Sequence, residues 1–177
     1  GSTRIAAIWD QTDRSGTPPE GFIYGSEYRD EEINRALNSM NSHEIVPTTD
    51  EEGHGTFMAS VAAGSEIPEK NFVGAAPYCK IAMVKLKQAK EYLRDFYFIN
   101  RNAVAYQEND IMAGVWYLNR LAQERHMPLV ICVGLGTDMG GHTGVNPLST
   151  MLNGMALRRD HAVVISAGNE GNSRHHF

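Results

Sequence analysis

Residues 50–64 read DEEGHGTFMASVAAG and set a histidine, His54, between two glycines at the start of an apolar run of small residues. The run predicts a helix over residues 56–64, with the histidine at or just before its start. There, free N–H groups and the positive end of the helix dipole disfavour a charged imidazole. A neutral imidazole is what a general base needs near pH 7. A histidine that only caps an ordinary helix would give the same local pattern, so this stretch alone leaves both interpretations open.

The residues beside His54 carry two further expectations. Gly53 and Gly55 lack a Cβ, and we expect this to allow backbone or substrate to approach the ring closely. Asp50, Glu51 and Glu52 form an acidic run, for which a solvated loop is the default interpretation. No spacing in this run identifies a set of calcium ligands.

Two other apolar runs end on polar side chains. Residues 5–10, IAAIWD, predict a buried strand that ends on the carboxylate of Asp10. Residues 163–171, VVISAGNEG, predict a second strand that leads into Gly168 and Asn169. Open α/β sheets place their sites at the carboxyl ends of parallel strands. Taken singly, each segment is more often an ordinary strand end or turn.

The order Asp10, His54, Asn169 and the context of each residue resemble the subtilisin-like serine peptidases, the subtilases. The resemblance implies that Asp10 and His54 belong to an Asp-His-Ser triad, and that Asn169 donates a hydrogen bond to the oxyanion. It implies protein or peptide substrates and chemistry that requires no cofactor. It also favours an extracellular, cell-envelope or spore location, and it allows structural calcium at sites that the sequence does not identify.

The intervening segments agree with this resemblance. Residues 74–86, GAAPYCKIAMVKL, are similar to the family's G-x-A-P-x-A-x-[IL] entry into its next core strand. Residues 129–136, LVICVGLG, resemble the strand that lines the substrate cleft, with Gly134 in place of the usual serine. The family pairs an extended peptide with the backbone of this segment. The residues concerned are Val133, Gly134, Leu135 and Gly136. A plain core strand followed by a glycine turn would equally satisfy this run.

The family's nucleophile segment, G-T-S-M-A, is not found in the sequence, and no serine that is present has that context. We therefore expect residues 1–177 to be the N-terminal part of a catalytic domain, incomplete at its C-terminus. The remainder would be supplied in cis or by a separate chain, and residues 1–177 alone would be inactive. Gly1-Ser2 is typical of a tag-cleavage scar.

Two other functional classes are alternatives to a peptidase. A pseudoprotease would keep this scaffold as a binding or regulatory module without a working nucleophile. An α/β nucleotide-binding domain is disfavoured, because no G-x-G-x-x-G or P-loop follows the first strand.

Two features depart from the family's common pattern. Asp10-Gln11-Thr12 stands where D-[ST]-G is common, which resembles the clostridial branch of subtilases with a large inserted β-domain. Asp13 complicates this comparison by offering a second carboxylate nearby. Residues 88–107 lengthen a connection with charged and aromatic side chains, for which packing on the domain is favoured over a flap above the cleft.

The alternation of apolar runs and amphipathic stretches predicts an α/β fold, with a mostly parallel sheet and helices on both faces. The subtilase resemblance makes this a three-layer fold. The predicted strands cover residues 5–9, 81–86, 129–133 and 162–166, and the predicted helices cover 29–40, 56–64, 108–124 and 148–158.

Composition fits one partial globular domain, since 42% of the residues are hydrophobic and no internal repeat is visible. The net charge of −5 makes nucleic acid an improbable partner. No apolar run approaches the roughly 18 residues that a membrane-spanning helix needs. The two cysteines, Cys79 and Cys132, are predicted to be buried free thiols rather than disulfide partners or metal ligands.

Overall fold

The computed structural model describes residues 2–137 and 143–169. Part of the glycine-rich loop that follows residue 133, and residues 170–171 of the predicted asparagine segment, lie outside the described residues. The chain forms two compact units, of which the first ends at Lys87 and the second begins at Gln88.

The first unit is built on a three-stranded sheet of order β2-β1-β3. Strand β1 (Ile5–Asp10) pairs in antiparallel fashion with β2 (Ser26–Arg29) and in parallel with β3 (Ile81–Lys85). Trp9 on β1 is fully buried, and its ring lies 4.4 Å from the ring of Phe22, centroid to centroid. The parallel pairing of β1 and β3 agrees with the predicted α/β class, whereas the short strand β2 was not predicted.

Three helices complete the first unit: α1 (Asp30–Leu37), α2 (Ser42–Ile45) and α3 (His54–Ala63), with a 3-10 turn at Pro68–Lys70. The predicted helix over residues 29–40 is thus confirmed as α1, with α2 as a separate short helix after it. The predicted histidine helix is confirmed as α3, which begins at His54 itself.

A glycine contact fixes the connection from α3 to β3. Helix α3 ends against residues 74–76, whose N–H groups donate to carbonyls near the helix end: Gly74 to Gly64 at 3.0 Å and Ala76 to Ala62 at 2.8 Å. These bonds satisfy carbonyls that a helix end leaves open. A Cβ on Gly74 would lie 2.3 Å from the nitrogen of Gly64, so this close approach requires glycine.

The second unit contains α4 (Glu91–Phe96), α5 (Glu108–Glu124), β4 (Leu129–Val133), α6 (Pro147–Ala156) and β5 (His161–Ile165). Strands β4 and β5 pair in parallel, with Ile131 opposite Val163. Side chains of α5, β4 and α6 form the core of this unit: Val115, Ile131, Leu152 and Met155. The predicted elements over 108–124 and 129–133 are confirmed without change, those over 148–158 and 162–166 are confirmed with shifts of one or two residues at their ends, and α4 is an addition.

The prediction that both thiols are buried is wrong. Cys79 and Cys132 are free and exposed. Side chains alternate between the two faces of a strand, and Ile131 of β4 is buried in the core while its neighbours Val130 and Cys132 are exposed. The apolar sequence of β4 therefore did not guarantee that both of its faces are buried.

Candidate active site

Asp10 ends strand β1, and its side chain is 3% exposed. Its Oδ1 atom accepts three hydrogen bonds: from the N–H of Thr12 at 2.8 Å, from the Thr12 hydroxyl at 2.6 Å and from the N–H of Asp13 at 3.2 Å. An aspartate that bonds the backbone two residues ahead forms an Asx turn, which fixes the rotamer of the carboxylate. This turn gives a physical reason for Thr12 in the unusual Asp10-Gln11-Thr12 segment.

Asp13 anchors the same loop. Its Oδ1 accepts from the N–H and the hydroxyl of Ser15, both at 2.9 Å, and its Oδ2 accepts from the hydroxyl of the buried Tyr28 at 2.5 Å. Burial by itself would raise the pKa of the Asp13 carboxyl, but hydrogen bonds from Tyr28, Ser15 and Ser26 hold that pKa at about 2. Burial, followed by the Asp13 bond, raises the pKa of Tyr28. The second carboxylate near Asp10 is therefore engaged in holding the loop.

His54 is the first residue of α3 and is exposed. The first turn of this helix is capped by Asp50, four residues earlier. The Oδ1 of Asp50 accepts from the N–H of Gly53 at 2.9 Å, and its Oδ2 accepts from the N–H and hydroxyl of Thr56 at 2.8 and 2.7 Å. These bonds, those of Thr56 above all, lower the pKa of the Asp50 carboxyl. Asp50 is exposed, as a loop residue should be, but its capping role was not evident from the sequence.

The glycines beside His54 differ in what they require. Gly53 has a φ of 75°, which glycine adopts without strain, and a Cβ there would meet no atom within 4 Å. At Gly55 a Cβ would lie 3.5 Å from Asp50 Oδ2, an ordinary contact. At Gly53 the requirement for glycine is therefore conformational, and the expectation that backbone or substrate approaches the His54 ring past these two glycines stays a prediction.

Lys85 connects the end of β1 with the loop that precedes His54. It lies at the end of β3, opposite Asp10 in the parallel register, and its Nζ is 3.9 Å from Asp10 Oδ2. The same Nζ is 3.2 Å from Glu51 Oε2. Glu51 Oε1 also accepts from the Thr49 hydroxyl at 2.5 Å. The Thr49 bond first, and also the Lys85 ammonium, lower the pKa of the Glu51 carboxyl. Within the first unit, Lys85 thus contacts both Asp10 and the loop that precedes His54.

The second unit brings two other predicted segments together, at the carboxyl ends of β4 and β5. The N–H of Ser166 donates to the carbonyl of Val133 at 3.1 Å, and the Ser166 hydroxyl donates to the carbonyl of Leu135 at 3.3 Å. A Cβ on Gly136 would lie 3.9 Å from the Cα of Gly168. The residues that follow β4, Gly134 included, therefore run beside those that lead to the exposed Asn169.

Gly168, directly before Asn169, has a φ of 86°. This left-handed conformation favours glycine, so Gly168 sets the direction in which the chain leaves β5. The sequence motif placed a glycine here, and the backbone gives the reason for it.

Two features of the described residues, 2–137 and 143–169, concern metals and membranes. No group of three His, Cys, Asp or Glu side chains is arranged there as a metal site. In the same part of the chain, no helix combines the length and the apolar character that crossing a membrane requires.

The chain matches the family model of the subtilases, described as "Subtilase family", over residues 21–176. The matched span includes His54, Val133 to Gly136 and Asn169, and it begins after Asp10. The chain also resembles the solved structure of the CspB protease of Clostridium perfringens, with a TM-score of 0.78 and 32% sequence identity. That match covers 98% of this chain and 32% of the clostridial chain.

Two curated plant proteins also match. Subtilisin-like protease SBT3.16 of Arabidopsis thaliana is 32% identical over 74 residues, which is 37% of this chain and 10% of that protein. Subtilisin-like protease SBT3.3 of the same plant is 30% identical over 90 residues, which is 46% of this chain and 11% of that protein. The chain thus spans about a tenth of the length of these two relatives.

Proposed function

The chain belongs to the subtilase family, and from this we propose that the protein is a serine endopeptidase that hydrolyses protein or peptide bonds. The reaction would use an Asp-His-Ser triad, with Asp10 and His54 supplied by this chain. The observation that carries the proposal is the Asp10 carboxylate, which is buried, oriented by three hydrogen bonds on one oxygen, and linked through Lys85 to the loop before His54.

In the proposed mechanism, His54 removes the proton from a serine hydroxyl as the oxygen attacks the scissile carbonyl. It then returns the proton to the leaving amine. Asp10 holds the imidazole in the tautomer that presents its basic nitrogen to the serine, and it stabilises the imidazolium that forms. Because Thr12 and Asp13 engage Oδ1, the proposal assigns Oδ2 of Asp10 to the histidine.

Asn169 is the proposed oxyanion donor. Its side-chain amide would donate to the oxygen that becomes negative in the tetrahedral intermediate. The neighbouring backbone of Val133, Gly134, Leu135 and Gly136 would pair with an extended substrate. Their position beside the Ser166 to Gly168 segment supports this assignment, since one substrate residue could then touch both segments.

The nucleophilic serine is proposed to lie outside these 177 residues, because no serine among them stands in a G-T-S-M-A context. Nucleophile and base act as a unit, so the isolated 177-residue chain should hydrolyse no peptide. The remainder of the catalytic domain, joined to this chain or separate from it, is the proposed partner. If the isolated chain hydrolyses peptide and a serine-directed phosphonate blocks that hydrolysis, this assignment is contradicted.

The function is tested with the full-length protein, fluorogenic peptides and a serine-directed phosphonate. We expect hydrolysis, its loss on phosphonate treatment, and one phosphonate adduct per molecule by mass spectrometry. Asn169→Ala should lower kcat far more than it raises KM. Removing one oxyanion donor costs about 10²–10³ in kcat in the best-studied case, which is itself a subtilisin. Hydrolysis that resists the phosphonate, or no hydrolysis of any peptide, would overturn the proposal.

A further inference from the structure

Lys85 is a cation that lies beside the buried Asp10 carboxylate. The Asp10 side chain is 3% exposed and that of Lys85 is 28% exposed, while the two atoms Nζ and Oδ2 are 3.9 Å apart. A carboxylate removed from water is costly unless hydrogen bonds and an opposite charge compensate it. Oδ1 of Asp10 has its hydrogen bonds from Thr12 and Asp13. On the Oδ2 side, Lys85 supplies an opposite charge.

The same ammonium reaches the loop that leads into α3. Its Nζ lies 3.2 Å from Glu51 Oε2 and 3.5 Å from Glu51 Oε1. Glu51 is three residues before His54, and Asp50, beside it, caps the helix on which His54 stands. One side chain on β3 therefore contacts both the end of β1 and the loop that sets the start of α3.

We propose that Lys85 is a positioning residue for the reaction: its ammonium joins the Asp10 carboxylate to the Glu51 loop and so fixes the distance between Asp10 and His54. This inference rests on the proposed function. An exposed lysine–glutamate pair by itself is worth about 0–1 kcal/mol, and Glu51 is 69% exposed. Removing the ammonium would also leave the buried Asp10 carboxylate less compensated, which costs stability, but fold stability is not the main effect of the Lys85–Glu51 contact. The main effect of the contact is on the geometry of the site, since a misplacement of about 1 Å at a reacting group can cost about 10²-fold in rate.

The test uses the full-length protein and compares four variants. Lys85→Met removes the ammonium, Lys85→Arg keeps the positive charge, and Glu51→Gln removes the charge of the loop partner. Lys80→Met is the matched control, because Lys80 is an exposed lysine just before the same strand.

We expect Lys85→Met to lower kcat by about 10²-fold, with KM changed by less than about twofold. Lys85→Arg should restore most of the turnover, Glu51→Gln should give a smaller loss in kcat, and Lys80→Met should behave as the wild type. A purely structural lysine would instead lower the thermal midpoint and the active fraction, and leave the kcat of the folded protein unchanged.

Amide hydrogen exchange provides a readout that does not depend on activity. Exchange over residues 49–55 should be faster in Lys85→Met and Glu51→Gln than in the wild type or Lys80→Met. Unchanged exchange in Lys85→Met, or unchanged kcat while His54→Ala abolishes turnover, would overturn the role of Lys85. If every form of the protein is inactive, the proposed function fails, and the exchange measurement alone then decides whether Lys85 holds the loop.

Discussion

At the scale of single residues, the Asp10 carboxylate is oriented mainly by hydrogen bonds to one of its oxygen atoms, Oδ1. Oδ1 of Asp10 receives two hydrogen bonds from Thr12, one from its backbone and one from its hydroxyl. The hydroxyl bond is the shorter, at 2.6 Å, and it ends on a carboxylate. Hydrogen bonds to charged groups are worth about 1.5–3 kcal/mol. The Asp10 rotamer should therefore depend on this one hydroxyl.

Thr12→Val keeps the shape and the N–H of the residue but removes the hydroxyl. We expect kcat of the full-length protein to fall by about tenfold or more, because Asp10 then holds the imidazole less rigidly. Thr12→Ser, which keeps a hydroxyl, is the matched variant and should retain most of the activity. Steady-state kinetics of both variants decide the point, and equal activities would show that the hydroxyl does not orient Asp10.

The sequence predicted some residues of the candidate site and missed others. Asp10, His54 and Asn169 were indicated by motifs, because Asp10 ends a strand, His54 starts a helix and Asn169 follows a strand, each in a recognisable context. Lys85 was not singled out, since its relation to Asp10 depends on the register of two strands that are 71 residues or more apart in sequence. A lysine that ends the next parallel strand after a candidate aspartate is the signal that could have found it.

At the scale of elements, α3 depends on a cap that lies outside the helix. Asp50 accepts hydrogen bonds from Gly53 and Thr56 and so satisfies donors of the first turn. The acidic run offered three candidates for this role, Asp50, Glu51 and Glu52, and only their placement in space distinguishes them. Helix α3 itself was predictable, because its small apolar residues favour a helix whatever the helix packs against.

Asp50→Ala should destabilise the first unit by about 1 kcal/mol, and by no more than about 2 kcal/mol, which is the usual cost of a lost helix cap. Glu52→Ala, two residues along the same exposed loop, is the control and should stay within about 0.5 kcal/mol of the wild type. Denaturant unfolding of the full-length protein measures both. A smaller loss for Asp50→Ala than for Glu52→Ala would contradict the assignment of the cap.

The loop between β1 and β2 should make stability depend on acid pH. The pKa of Asp13 is about 2 in the folded chain, against an ordinary value of 3.8. The unfolded state therefore binds this proton more tightly, and the ionised carboxylate stabilises the fold above pH 4. This contribution disappears as the pH falls from about 4 through about 2. The lowered pKa of Asp50 acts in the same direction.

Asp13→Asn tests this linkage through the free energy of unfolding measured between pH 6 and pH 2. The variant should be less stable than the wild type at pH 6, and the difference should shrink as the pH approaches 2. Tyr28→Phe, which removes only the hydroxyl that donates to Asp13, should show the same trend more weakly. A difference that stays constant over the whole range would exclude a role for the Asp13 charge.

Strand β2 and the exposed thiols show why other elements escaped prediction. Strand β2 has four residues, and its buried positions are Ser26 and Tyr28, so no apolar alternation marks it. Strand β4 is apolar along its whole length, which suggests burial on both faces. In the structure its core-facing residue Ile131 is buried, whereas Cys132 is exposed.

At the scale of the whole molecule, the chain belongs to the subtilase family, and its reaction is a proposal. The subtilase match covers residues 21–176, and the clostridial CspB protease supplies a structural likeness over 98% of the chain. The α/β class was predictable because long apolar and amphipathic stretches have clear periods. The roles of Asp10, His54 and Asn169 stay predictions, since motifs state which residues are present and only kinetics reports what they do.

The most direct test of the central claim is a double-mutant cycle on Asp10 and His54 in the full-length protein, read as kcat for a peptide substrate. If the two residues act as one unit on the serine, Asp10→Asn and His54→Ala should each lower kcat by about 10⁴-fold or more. The double variant should then be scarcely worse than His54→Ala alone. Losses that multiply in the double variant, or a His54→Ala variant as active as the wild type, would contradict the claim.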